Sequence, residues 1–161
     1  MEEKQHIISV TVENRFGVLA RIAGLFSARG FNIDSLSVAE TEDPTVSQMT
    51  IGVRGNERIL EQIIKQLNKL IDVIKVQDLT SSDHLERELI LVKVNATNRA
   101  NITKIVETFG SQVIDVGQKS VVIELVGDSH RIQMMLKLLR PFGIKEIIRT
   151  GKVGIRGEGE K

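Results

Sequence analysis

The spacing of hydrophobic and polar positions changes period four times in each half of the chain, in the same order both times. Residues 6–12 (HIISVTV) are rich in β-branched side chains and predict a strand. A turn over Glu13–Gly17 follows, and from Val18 the period lengthens. Leu19, Ile22, Ala23 and Phe26 fall at i, i+3, i+4 and i+7, one face of a helix. Gly30 takes a positive φ without steric cost and suits the end of that helix. Residues 32–40 (NIDSLSVAE) and 46–53 (VSQMTIGV) predict two more strands joined by a turn at 41–45 (TEDPT). Asn56 is placed to cap a second helix, whose stripe is Leu60, Ile63, Ile64 and Leu67. Residues 71–76 (IDVIKV) predict the closing strand.

The second half repeats this order with little textual identity. Residues 88–94 (ELILVKV) predict a strand. Asn98 caps a helix with Ile102, Ile105, Val106 and Phe109 on one face, and Gly110 ends it. Residues 112–116 and 120–126 form a hairpin around Gly117. Asp128 or Ser129 caps a fourth helix carrying Ile132, Met135, Leu136 and Leu139, which Pro141 and Gly143 break before a last strand at 144–149. Each half is thus a βαββαβ unit, and the fold class is α+β with two tandem ferredoxin-like units. Right-handed crossovers place both helices of a unit on one face of its sheet. The other face is left open in a unit this small, which predicts association through sheet faces, edges or helix faces. The expected division is 1–79 for the first domain, 80–86 for a linker, 87–150 for the second domain and 151–161 for a flexible, glycine-rich tail.

Composition narrows the function. The 161 residues include no Cys, Trp or Tyr, which removes disulfides, thiolate catalysis and cysteine-ligated metal. Charge is nearly balanced, 22 Lys and Arg against 21 Asp and Glu, and only five Phe are present. Neither feature suits a nucleic-acid partner. No apolar run is long enough to span a membrane. The N-terminal MEEKQ has no apolar core of a signal peptide, so a cytoplasmic location is expected. His6, His84 and His130 have no ligand spacing and are expected to be solvated. The acids Glu40, Glu42 and Asp43 read as a hairpin tip. No set of titratable groups converges as catalysis requires, so the chain is not expected to be catalytic on its own.

One segment differs from scaffold: Glu13-Asn14-Arg15-Phe16-Gly17-Val18-Leu19, between the first strand and the first helix. Backbone N–H groups at a helix start attract a carboxylate, and Gly17 lets a ligand approach the backbone. The Asn14 side chain offers a carbonyl to an ammonium and an amide to a carboxylate. That pairing suits a zwitterion such as a free amino acid. Ordinary turn chemistry accounts for the same residues equally well.

Here the sequence resembles a known family. Asn14-x-x-Gly17-x-Leu19-x-Arg21-Ile22, followed by Leu25-Phe26-x-x-Arg29-Gly30-Phe31-Asn32-Ile33-x-Ser35-Leu36, is similar to the ACT domain of acetolactate synthase small subunits. The likeness continues through residues 61–70, 87–94, 114–116 and 143–151. It implies that the first unit is an ACT domain and that the chain is a regulatory subunit of branched-chain amino acid biosynthesis. It also implies a catalytic large subunit as partner, which carries thiamine diphosphate, Mg and FAD, while this chain holds no cofactor. Such a subunit activates its partner, confers feedback inhibition by valine, and forms a homodimer through ACT domains with a branched-chain amino acid effector bound where they meet. On matching positions, Asn14, Gly17, Val18 and Leu19 supply the loop from one chain, and Asn32 and Ile33 come from the facing chain. Gln48 stands where many relatives have Arg. The second unit lacks an Asn-x-x-Gly loop, so no equivalent site is expected there. The ACT domain alone also fits a tandem amino-acid sensor acting on another enzyme or a transcription factor.

Overall fold

The computed structural model describes residues 4–159. It holds two units: one runs to Leu85 and takes up the chain again from Gly151, and the other spans Glu86–Thr150. The first contains β1 (Lys4–Glu13), α1 (Val18–Ala28), β2 (Ile33–Glu40), β3 (Val46–Gly55), α2 (Glu57–Leu67) and β4 (Val73–Asp78). Its sheet is antiparallel in the order β2-β3-β1-β4. The apolar positions of the central strands, among them Ile8, Val10, Met49 and Ile51, meet Ile22 and Phe26 of α1 and Ile63 and Leu67 of α2 in one core. Each such side chain contributes ~1.5–3 kcal/mol by leaving water.

The second unit contains most of β5 (His84–Asn95), then α3 (Arg99–Thr108), β6 (Gln112–Val116), β7 (Ser120–Gly127), α4 (Ser129–Leu139) and β8 (Ile144–Arg149). Its strand order, β6-β7-β5-β8, repeats that of the first unit. Ile90, Val92, Ile123, Ile132 and Met135 form its core. Glu88 is buried there, and Arg149 grips it with two bonds, Nε to Oε1 at 2.8 Å and Nη2 to Oε2 at 2.7 Å. The hydrogen bond to Glu88 holds the Arg149 guanidinium above its ordinary pKa. The chain is therefore two tandem ferredoxin-like units.

The structure departs from the sequence reading at five places. The buried face of α1 is Val18, Ile22, Leu25 and Phe26, whereas Leu19 of the expected stripe is 44% exposed. The fourth strand begins at Val73, and Ile71 before it is 95% exposed. Part of the expected 80–86 linker is extended, because β5 already begins at His84. His6 is buried, with Nε2 2.9 Å from the Gly55 carbonyl. Residues 6–10 are all buried, so this stretch of β1 is covered on both faces and alternation does not mark an outward side.

The fifth departure is the tail. Residues 153–156 form a strand, β9 (Val153–Arg156), in the first unit. Gly154 N–H donates to Thr50 Oγ1 at 3.3 Å, Gly157 N–H donates to the Asp83 carbonyl at 2.8 Å, and Lys152 Nζ donates to Gln5 Oε1 at 3.1 Å. The glycines that suggested mobility allow close approach instead. A Cβ on Gly154 would stand 2.7 Å from Leu79 Cδ1, and one on Gly157 2.7 Å from Asp83 Oδ2. Residues 160–161 of the expected tail lie outside the described residues.

Candidate functional site

The loop between β1 and α1 is set by its two ends. Glu13 N–H bonds the Asp72 carbonyl at 2.9 Å, and Asn14 N–H bonds the Thr45 carbonyl at 2.7 Å. Asn14 Nδ2 donates to the Pro44 carbonyl at 2.8 Å, tying the loop to the β2–β3 hairpin. One amide hydrogen bond is thus spent on scaffold, and the Asn14 side-chain oxygen has no partner among the described residues. Gly17 then turns the chain into α1 with φ 81°, a left-handed conformation that L side chains rarely adopt.

The helix start is the unusual part. Asn56, Asn98 and Asp128 cap α2, α3 and α4 with side-chain oxygens. No side chain caps α1. Val18 N–H turns back to the Arg15 carbonyl at 3.3 Å, and Arg21 N–H reaches the Gly17 carbonyl at 3.0 Å. Between them, Leu19 and Ala20 N–H have no partner among the described residues, and both residues are exposed. Free donors at the positive end of a helix dipole are chemically able to hold an anion.

The remaining site residues fall into different roles. Val18 is 3% exposed and belongs to the core, where it anchors the loop. Leu19 is 44% exposed, and Phe16, three residues before it, is fully exposed. Ile33 packs against the core as a half-buried residue. Asn32 is exposed and donates from Nδ2 to Asp34 Oδ1 at 3.1 Å, and Asp34 in turn pairs with Arg54 at 2.9 Å. Gln48 accepts from Thr11 Oγ1 at 2.8 Å and donates to Ser9 Oγ at 2.5 Å, so within the chain this hairpin residue is bound to β1.

Asn14 and Asn32 do not meet within one chain. On β3, Glu13 pairs with Val46, whereas Ile33 pairs with Val53. Those seven residues of strand put the two ends ~23 Å apart. A ligand the size of an amino acid cannot touch both, so a site using both needs a second copy.

Arg21 and Asp72 were not legible as a pair. Arg21 Nε and Nη2 both reach Asp72 Oδ2, at 2.9 and 2.7 Å, and the Asp72 side chain is 8% exposed. Arg21 lies one turn beyond Gly17, a spacing that places it on the loop's side of α1. Nothing local marks Asp72, fifty-one residues away. Among the described residues no group of three or more His, Cys, Asp or Glu is placed to hold a metal ion, and no helix is long and apolar enough to cross a membrane.

Comparison with known proteins places this geometry in context. Residues 8–75 match the family described as AHAS small subunit-like ACT domain, and residues 87–158 match the small subunit of acetolactate synthase. The acetolactate synthase small subunit of Aquifex aeolicus is 49% identical over 158 residues, covering 96% of this chain and 82% of that protein. The chain belongs to the acetolactate synthase small-subunit family. A probable small subunit from Methanothermobacter thermautotrophicus is 51% identical, over 94% of this chain and 92% of its own. The crystal structure of the Thermotoga maritima small subunit is 36% identical, with a TM-score of 0.88, and covers 98% of this chain and 99% of its own. Membership extends over both units, and the first is the regulatory ACT domain.

Proposed function

We propose that this chain is the regulatory subunit of acetolactate synthase in branched-chain amino acid biosynthesis. In this reading it binds the thiamine-diphosphate-dependent catalytic subunit in the cytoplasm, raises its activity and makes it sensitive to valine. Thiamine diphosphate, Mg and FAD belong to that partner, and this chain has no catalysis of its own. The end-to-end likeness to named small subunits supports the reading.

The effector site is the uncapped start of α1. The valine carboxylate accepts from Leu19 and Ala20 N–H, and the Asn14 side-chain oxygen accepts from the ammonium group. Asn32 and Ile33 of a second copy close the site in a homodimer formed through the ACT domains. The side chain of valine, buried there, contributes ~1.5–3 kcal/mol. Inhibition then requires valine to prefer one arrangement of the dimer, because equal affinity for two arrangements shifts nothing.

Reconstitution with the catalytic subunit of the same organism tests this. Adding the chain is expected to raise pyruvate condensation, and valine to lower it again. Gly17→Asp places a carboxylate and a strained backbone in the anion corner, and is expected to keep activation while losing valine inhibition. No activation by the native chain would overturn the assignment as regulatory subunit. Unchanged inhibition with Gly17→Asp would overturn the placement of the site.

A further inference from the structure

We propose that Arg21 reads the carboxylate of the effector and that buried Asp72 sets its aim. The inference rests on the reading of the Gly17 loop as the effector site and adds to it the residue that selects for a free acid. A guanidinium is a rigid planar fork whose N–H groups point in fixed directions. Asp72 engages one side of the fork, through Nε at 2.9 Å and Nη2 at 2.7 Å. That fixes where the third nitrogen points. Nη1 lies 3.6 Å from the position a Cβ would occupy on Gly17. Because residue 17 is glycine, that volume is open, and it adjoins the unpartnered donors of Leu19 and Ala20.

The burial of the two partners suits this division of labour. The Asp72 side chain is 8% exposed and that of Arg21 is 52% exposed. The carboxylate is a fixed anchor, and the guanidinium turns its free corner toward the loop. Asp72 also accepts Glu13 N–H through its main-chain carbonyl at 2.9 Å, so one residue positions both the entrance of the loop and the charge that faces it. A ligand carboxylate held by the helix donors gains an ion-paired hydrogen bond from Nη1, whereas a neutral amide carbonyl gains only the weaker bond from a charged donor to a neutral acceptor. Asp72 is a positioning residue, because it acts on the ligand only through Arg21.

Calorimetric titration of the full chain with L-valine and with L-valinamide tests this. The native chain is expected to bind valine at least tenfold more tightly than valinamide. Arg21→Gln is expected to weaken valine binding about tenfold, the loss of one charge-assisted bond in a half-exposed place, and to bring the two ligands to similar affinity. Arg21→Lys keeps the charge but loses the fork that Asp72 aims, and is expected to recover only part of the preference. Asp72→Asn is expected to reduce the preference with Arg21 still present. Valinamide binding as tightly as valine to the native chain, or Arg21→Gln binding valine as the native chain does, would overturn the role of Arg21 and leave the site standing. A purely structural pair would lower both affinities together with the unfolding midpoint, and that too would overturn it. A native chain that binds no valine would overturn the site reading, and this inference with it.

Discussion

Replacing Gly154 with valine should release the C-terminal strand from the first unit. A Cβ at 154 would stand 2.7 Å from Leu79 Cδ1 and 3.6 Å from Ile7 Cγ2. Leu79 is fully buried and Ile7 5% exposed, so neither can swing into solvent to make room. Forcing methyl groups into such packing costs ~1–3 kcal/mol. That corresponds to about a fivefold to 150-fold rise in the undocked fraction. The strain has a cheap escape, because Val153 and Ile155 are 49% and 68% exposed and little apolar surface is lost when the strand lifts. The unit should therefore stay folded while the tail detaches. Trypsin reports on this directly, since Lys152 and Arg156 flank and end β9. When opening is fast relative to cutting, the cleavage rate follows the open population. Cleavage at these two sites should accelerate at least fivefold in Gly154→Val, with the unfolding midpoint of the remaining chain little changed. Equal cleavage rates in the native and Gly154→Val chains would refute the docked strand.

Two further outcomes follow from the structure. Arg149→Ala strands the buried Glu88 carboxylate; breaking a fully buried pair costs about 3–5 kcal/mol, and the 47% exposure of the Arg149 side chain reduces this to about 2 kcal/mol in urea unfolding. The double variant Glu88→Gln, Arg149→Met should recover part of that loss, and a single variant as stable as the native chain would refute the reasoning. Asp43 accepts from Thr45 Oγ1 at 2.6 Å and Thr45 N–H at 2.9 Å, and these bonds hold its carboxyl below the usual 3.8. A folded pKa below the unfolded one means the contribution is present above the unfolded value and fades as pH falls through the folded value. Carbon NMR titration should place its midpoint below 3.8, and Thr45→Val should move it upward.

The order of elements was legible because both units obey local rules. The i, i+3, i+4, i+7 stripes at Leu60–Leu67 and Ile132–Leu139 became the buried faces of α2 and α4. Asn56, Asn98 and Asp128 are caps, and Gly30, Gly110 and Gly143 take positive φ at the turns where they were expected. The misses at the tail, at His6 and at Arg21 share one cause, which is contact between residues distant in sequence. The strand at 153–156 is short, contains a glycine and leaves two apolar side chains exposed, so its pattern resembles a mobile end until Leu79, Thr50 and Asp83 are brought beside it. His6 read as a solvated edge residue because alternation cannot announce a strand covered on both faces. At the loop, Gly17 was legible as a turn at a helix start, and its positive φ is that of a turn glycine. The aim of Arg21 was not legible, because it is set by an aspartate on the far side of the sequence.

The separation of Asn14 from Asn32 carries the regulatory argument further than the residue types do. If both belong to one effector site, as proposed, two half-sites ~23 Å apart on one chain are useless to a small ligand unless a second copy supplies the missing half. A ligand bound across such a junction necessarily tightens the junction by the same factor that the junction tightens the ligand. In the proposed reading, effector concentration is converted into a preference between arrangements of two chains, with no moving part required inside either unit. The rigidity of the loop serves this end. Asn14 is tied to Pro44 and Thr45, Glu13 to Asp72, and Arg21 to Asp72, so little binding energy is lost in ordering the first half-site. On the proposed site, what valine adds is then free to act on the position of the neighbouring copy.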